Sequence, residues 1–170
     1  VTADVKYNQF WDAKELGINL IDAGHFHTEN PVCRYLTQQL RQAFPGVAFT
    51  WEKEVFGTTY TDSVTEIDLS GIPMEDVTEA ETLMGYFPNL KKLIMCDCGI
   101  DYETMAAFRD RVRDQYKVVW TVRIGPNIAL RTDVDNFMPG HFAVGRLFTT
   151  HAYNLRYCED MVTLDVGHMT

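Results

Sequence analysis

The feature that most narrows the folds open to this chain is an apolar pair that returns at an interval. Ile67 and Leu69 reappear about 26 positions later as Leu93 and Met95, within the roughly 20 to 29 residue period of stacked strand-helix units. Two apolar residues separated by one position share a face of an extended strand. The second pair sits in Leu90-x-x-Leu93-x-Met95-x-x-Cys98-x-Ile100, and a stretch with helical character from about Asp76 to Phe87 separates the two pairs. Strands that alternate with helices of about ten residues build parallel sheets, since a parallel neighbour is reached only through a crossover. The expected class is α/β.

The pattern continues downstream. Asp101 is placed to cap a helix carrying Met105, Phe108 and Val112, and a β-rich run over 118–124 follows until Gly125-Pro126-Asn127 breaks it. The segment 132–151 is irregular, with Asp133, Asp135, Pro139, Gly140 and Gly145, and is expected to be flexible. Apolar spacing then returns in Leu155-x-x-Cys158-x-x-Met161-x-x-Leu164-x-Val166.

Upstream the order reads strand, helix, strand, helix. Thr2 to Lys6 is extended, Asn8 to Leu16 is a helix ended by Gly17, and Ile18 to Ile21 is an apolar strand. A second helix is expected to open near Thr28 or Asn30, with Pro31 in its first turn. Val32, Tyr35, Leu36, Leu40 and Phe44 follow at helical spacing until Pro45-Gly46. Val47, Phe49 and Trp51 then alternate as in a half-buried strand. The chain divides into segments 1–47 and 48–170, which could share one core.

Composition excludes several function classes. With 46% hydrophobic and 23% charged residues the chain is globular rather than disordered. A net charge of -9 and a pI near 4.9 argue against a phosphate-backbone binder, so no nucleic-acid partner is expected. No stretch reaches the roughly 18 apolar residues of a membrane span, and the expectation is a soluble, cytoplasmic protein. Val1 stands where a Met would open a gene product, so the sequence reads as a processed or cut piece. Cys33, Cys96, Cys98 and Cys158 lack zinc-finger spacing and are expected to be reduced thiols, mostly small buried hydrophobes. Trp51 and Trp120 read as core, and the run Glu75, Asp76, Glu79, Glu81 as the solvated start of a helix.

The chemistry concentrates in Gly24-His25-Phe26-His27-Thr28-Glu29. Divalent ions take neutral imidazole and carboxylate donors, and rigid placement spares entropy on binding. His25 and Glu29 are the candidate ligands, with His27, Asp4 and Asp22 as weaker ones. Asp4 and Asp22 could instead orient His25 through its other ring nitrogen. The competing account is that Glu29 is simply a carboxylate favoured at a helix N-terminus by about 0.3 to 1 kcal/mol, and that His25 turns the loop. No phosphate-binding Gly-rich run is present, and His141, His151 and His168 are too dispersed to suggest a triad.

Thr2-Ala3-Asp4-Val5-Lys6-Tyr7, Ala13-Lys14-Glu15-Leu16-Gly17-Ile18 and Asp22 through Glu29 together resemble the C-terminal part of the dinuclear-metal-centre family of type 2 GTP cyclohydrolase I homologs, as far as about Val47. That resemblance implies a His and a Glu ligand at His25 and Glu29, and a bound divalent metal such as Zn, Mn, Fe or Mg. The chain has Ala3 where the family usually has Gly and Asn8 where a His is common. The family's remaining ligands, a His-His pair and an Asp, belong to an N-terminal half with no counterpart here.

From about Val47 onward the chain is similar to bacterial leucine-rich-repeat regions, carried by Thr65-Glu66-Ile67-Asp68-Leu69-Ser70, Met95-Cys96-Asp97-Cys98-Gly99, Val119-Trp120-Thr121-Val122, Leu130-Arg131-Thr132-Asp133 and Leu164-Asp165-Val166-Gly167-His168. That resemblance implies an interaction surface without catalytic residues, and the union of two partial families points to a chimera or designed recombinant. Two functions are therefore expected. One is a metal-binding half-site, hydrolase-like only if the missing ligands come from elsewhere. The other is a noncatalytic scaffold with a protein partner or self-association.

Overall fold

The structure is a computed structural model that describes residues 2, 4–125, 127–138 and 151–165; of residues 25–30 the backbone alone is described. Pro126, the 139–150 part of the irregular segment with His141, and the end of the last apolar string from Val166 with His168 lie outside the described residues. The chain forms two units, Val1–Val55 with Thr59–Thr61, and Phe56–Thr58 with Asp62–Thr170. Helices and strands are mixed, as the α/β expectation required, although the sheets are small.

The first unit is mainly helical, with α1 over Tyr7–Glu15 and α2 over His25–Ala43. Among the described residues, the two strands expected around α1 are reduced to a single parallel bridge between Thr2 and Asp22. It is closed by Thr2 N–H to the Ile21 carbonyl and Ala23 N–H to the Thr2 carbonyl, both at 2.9 Å. A two-stranded pair of a few residues with no further neighbour is marginal, so the backbone settles for one rung. The strand expected at Val47 to Trp51 lies later, as β1 over Glu52–Val55, and it turns through Phe56 and Gly57 into β2 over Thr58–Thr61. Trp51 is buried as expected.

The second unit holds the larger core. β3 (Glu66–Asp68), β4 (Lys92–Ile94) and β5 (Lys117–Val119) pair in parallel, with α3 (Thr78–Tyr86) and α4 (Tyr102–Val112) as the crossovers. Ile67 stands opposite Leu93, and Leu93 opposite Val118, so the interval read from the sequence is the register of the sheet. That row is sealed from water. The alignment continues past the strands, where Gly71 N–H reaches the Cys96 carbonyl at 2.8 Å and Met74 N–H the Cys98 carbonyl at 2.9 Å. The Cys98 thiol donates to the Leu69 carbonyl at 3.2 Å, and burial raises its pKa, so it stays a thiol. All four cysteines are free, and Cys33 is exposed rather than buried.

α3 buries Ala80, Leu83 and Met84, the i, i+3, i+4 face of an amphipathic helix. α4 starts as the sequence indicated, with Asp101 Oδ1 accepting from Thr104 N–H at 2.8 Å and Met105 and Phe108 inside. The acidic run is likewise structural: Asp76 accepts from Thr78 N–H at 2.7 Å, and Glu81 pairs with Arg111.

Among the described residues the parallel sheet has three strands. The single strand expected over 118–124 is broken at Trp120, where Thr132 takes both backbone groups: its N–H donates to the Trp120 carbonyl at 2.9 Å, and its hydroxyl oxygen accepts from Trp120 N–H at 3.2 Å. The chain thereby leaves the parallel sheet and forms β6 (Thr121–Gly125), antiparallel to β7 (Ile128–Arg131). The last apolar string becomes a 3₁₀ helix over Ala152–Tyr157 and β9 (Thr163–Leu164), which pairs in parallel with β8 (Asn136–Phe137). Strands β3, β4 and β5 form a short parallel sheet, and a leucine-rich-repeat stack is not confirmed. Among the described residues no helix is long and apolar enough to cross a membrane.

Candidate metal centre

The loop before α2 is built around Asp22. Its Oδ1 accepts from Gly24 N–H at 3.0 Å and its Oδ2 from Val5 N–H at 3.1 Å, which ties the start of the chain to the helix entrance. These bonds, Gly24 first, hold the carboxyl below the ordinary aspartate range. Gly24 follows at φ +72° and ψ 149°, a conformation reserved almost entirely for glycine. The helix then begins at His25, earlier than the Thr28 or Asn30 start expected, and Pro31 lies inside it. The Asp22 turn and the glycine set the entrance, so neither Thr28 nor Asn30 is needed as a cap.

Starting the helix at His25 changes the relation of the candidate ligands. His25 and Glu29 are four residues apart on one continuous helix, about one turn, and so share a face. His27 lies roughly 200° around the axis from His25. Asp4 sits in the turn at φ +56°, and Asp22 has both oxygens engaged by backbone N–H groups. Among the described residues no group of three or more His, Cys, Asp or Glu is placed to hold a metal ion. As a donor set, one imidazole and one carboxylate a turn apart suit a divalent ion but supply only part of the three or more protein donors such sites use.

The second unit holds a charged cluster that sequence reasoning did not identify, because its members lie on separate elements. Arg131 grips Asp133 with two bonds at 2.9 and 2.8 Å, and Lys92 lies 3.2 Å from Asp133 and 3.1 Å from Glu66. The Arg131 hydrogen bonds chiefly, with Lys92, hold the Asp133 carboxyl down to about 2. Nearby a cavity of about 270 Å³ is lined by Arg109, Lys117, Asp133, Glu159 and Asp160 among others. Its charges neutralise one another, with Arg109 at 2.6 Å from Glu159 and Lys117 paired to Asp160. A charged ligand would have to break those pairs.

The Asp133 cluster predicts a pH effect. A carboxyl with a depressed folded pKa stabilises the fold fully above its unfolded value near 4, and that contribution is lost as pH falls towards about 2. With discount for solvent around the group, Asp133→Asn is expected to cost about 1 kcal/mol at pH 6. Denaturation curves of parent and variant should converge between pH 4 and pH 2, and a gap that stays constant across that window would remove the ion cluster as its cause.

The comparisons with known proteins bear on the first unit. The family model described as Duf34/NIF3 (NGG1p interacting factor 3) matches residues 1–62. A GTP cyclohydrolase 1 type 2 homolog from Nostoc sp. (strain PCC 7120) is 46% identical over 41 residues, 24% of this chain and 16% of that protein. No solved structure matches. The comparisons lend no support to the leucine-rich-repeat resemblance or to a chimeric origin. What they establish is a likeness to the Duf34/NIF3 family over residues 1–62, the part of the chain that contains the Asp22 turn and the helix opening at His25.

Proposed function

We propose that the first unit is a divalent-metal-binding element carrying half of a dinuclear site, with His25 and Glu29 as its two donors, and that it is not catalytic alone. The observation that carries this reading is the continuous helix that begins at His25 and sets Glu29 one turn further along, inside the residues similar to the Duf34/NIF3 family. His27, Asp4 and Asp22 are the weaker donors. Asp22 would have to give up its bonds to Val5 and Gly24 to serve. A bound ion would act there as a Lewis acid and lower the pKa of a coordinated water. The chain's own contribution is to fix two donors on a helix whose entrance is held by a side chain and a glycine. Hydrolase-like activity would require further ligands from another polypeptide segment.

The test is metal content and calorimetric titration with Zn²⁺ and Mn²⁺ on the parent and on the double variant His25→Ala, Glu29→Ala. Loss of both donors should weaken binding at least tenfold, about the least expected when even an outer supporting residue is lost. Equal metal content and equal isotherms in the two proteins would end the reading.

A second reading, for the second unit, is a noncatalytic protein-interaction scaffold of leucine-rich-repeat type. It is favoured by the in-register rungs through Ile67, Leu93 and Val118 and by the Cys98 thiol bonded to the preceding rung.

A further inference from the structure

Cations are scarce in this chain, 15 Lys and Arg against 24 Asp and Glu, yet three of them converge at one corner of the second unit. Arg109 lies in the last turn of α4, Arg113 follows where the backbone is still helical, and Lys117 opens β5. Residues four apart share a helix face, so the two guanidinium groups stand side by side. Both meet one carboxylate: Arg109 Nη2 lies 2.6 Å from Glu159 Oε1, and Arg113 Nη2 lies 3.0 Å from Glu159 Oε2. Lys117 pairs with Asp160, the next residue. Arg109 is also held independently of that turn. Its guanidinium lies 5.4 Å from the Trp120 ring centroid, donates to the Tyr157 carbonyl at 3.2 Å, and meets Asp110 at 3.2 Å.

The two carboxylates are not what fixes their segment. Glu159 and Asp160 are the central residues of a turn closed by Met161 N–H to the Cys158 carbonyl at 3.2 Å, and the chain beyond it is tied by Val162 N–H to the Asp135 carbonyl at 2.7 Å. Tyr157 and Cys158 anchor the approach by burial. The ion pairs themselves are open to water, with side-chain exposures of 41% at Glu159, 43% at Asp160, 56% at Arg113 and 50% at Lys117. Pairs that exposed contribute little to stability. Rotation of the side chains alone can therefore withdraw both carboxylates. It would leave three cations around a cavity of about 270 Å³ whose walls include Tyr116, Val118 and Thr132.

We infer that Arg109, Arg113 and Lys117 form a site for a small phosphate-bearing ligand, and that the turn carrying Glu159 and Asp160 fills it as a built-in competitor. Guanidinium groups set on the oxygens of one acid group, with an ammonium beside them for a second, suit phosphoryl oxygens. The turn places two anionic groups side by side at this corner, which matches a ligand with two linked phosphoryl groups, and the cavity leaves room for a further part of it. A nucleic-acid strand is not selected, because a net charge of -9 opposes a long polyanion while a short one answers to the local cations. The inference concerns the second unit alone and does not depend on the donor pair His25 and Glu29.

The test is calorimetric titration of the 170-residue chain with pyrophosphate, and separately with inorganic phosphate, at low ionic strength in the presence of a chelator. Glu159→Gln with Asp160→Asn keeps the shape of both side chains and removes the competing charge. That double variant should bind pyrophosphate about tenfold more tightly than the parent, the scale of two exposed ion pairs no longer competing, with a smaller gain for phosphate. Adding Arg113→Gln and Lys117→Gln, both at exposed positions, should cancel the gain. Glu75→Gln with Glu79→Gln makes the same change of net charge at the start of α3 and should bind as the parent does. The inference is overturned if the Glu159, Asp160 variant binds pyrophosphate no better than the parent, if the α3 control gains as much, or if the gain survives loss of Arg113 and Lys117. Loss of the cooperative melting transition in the Glu159, Asp160 variant would overturn it too, since the carboxylates would then hold the fold rather than fill a site.

Discussion

Leu93→Ala lowers the stability of the second unit by about 2–5 kcal/mol, the range for emptying a fully buried leucine site. Leu93 is the middle residue of the apolar row, in register with Ile67 on one side and Val118 on the other, and is 0% exposed. Both flanking strands are fixed by their own backbone ladders, so the sheet cannot close over the space the missing side chain leaves. Guanidinium denaturation of parent and variant measures the effect. Glu66→Ala in the adjacent register row, where the side chain reaches solvent and pairs with Lys92, serves as the comparison and should cost no more than about 1 kcal/mol. Equal effects of the two substitutions would mean that this row is not the centre of the core.

Gly24→Ala is expected to destabilise the start of α2 by about 1–3 kcal/mol through backbone strain alone. No atom of the described residues lies within 4 Å of the position an added Cβ would take, so the expected cost is argued from the backbone. The cost arises at φ +72°, where a Cβ meets its own backbone. Relief of that strain would unwind the entrance, release the Asp22 bond to the residue 24 N–H, and loosen the turn that sets His25 and Glu29 together. Amide exchange over residues 28–30 should accelerate in the variant, and any metal affinity of the proposed donor pair should fall with it. Gly46→Ala is the control, since its backbone does not adopt a positive φ and nothing lies near its Cβ position. Protection unchanged in Gly24→Ala would show that the helix entrance is held by something other than this turn.

Much of the second unit was legible because its signals are local. The interval between Ile67 and Leu93 was readable as a register because parallel strands joined by one helix each repeat at a nearly constant length. The Asp101 cap and the inner faces of α3 and α4 follow from residue type and helical period. The candidate site was legible only as residue types in order. His25 and Glu29 stood out as donors, but the start of their helix was misplaced by the attraction of Thr28 and Asn30 as caps. The signal that decides it is Asp22 followed by Gly24, an acceptor two residues before a glycine, which anchors the backbone ahead of both caps.

Sequence by itself determined the α/β class, the rungs of the parallel sheet and the solvated acidic helix start, and it singled out His25 and Glu29 as candidate donors by residue type alone. Each depends on neighbours a few positions away, or on a period that the chain carries along its length. Only the tertiary structure decided where the stack ends, because the change at Trp120 depends on Thr132 arriving to bind both of its backbone groups. It likewise reduced the N-terminal strands to one bridge among the described residues and assembled Asp133 with Arg131 and Lys92. Those outcomes turn on which distant segment comes to lie beside which, and the free energy of pairing, burial or exposure exists only once that neighbour is in place.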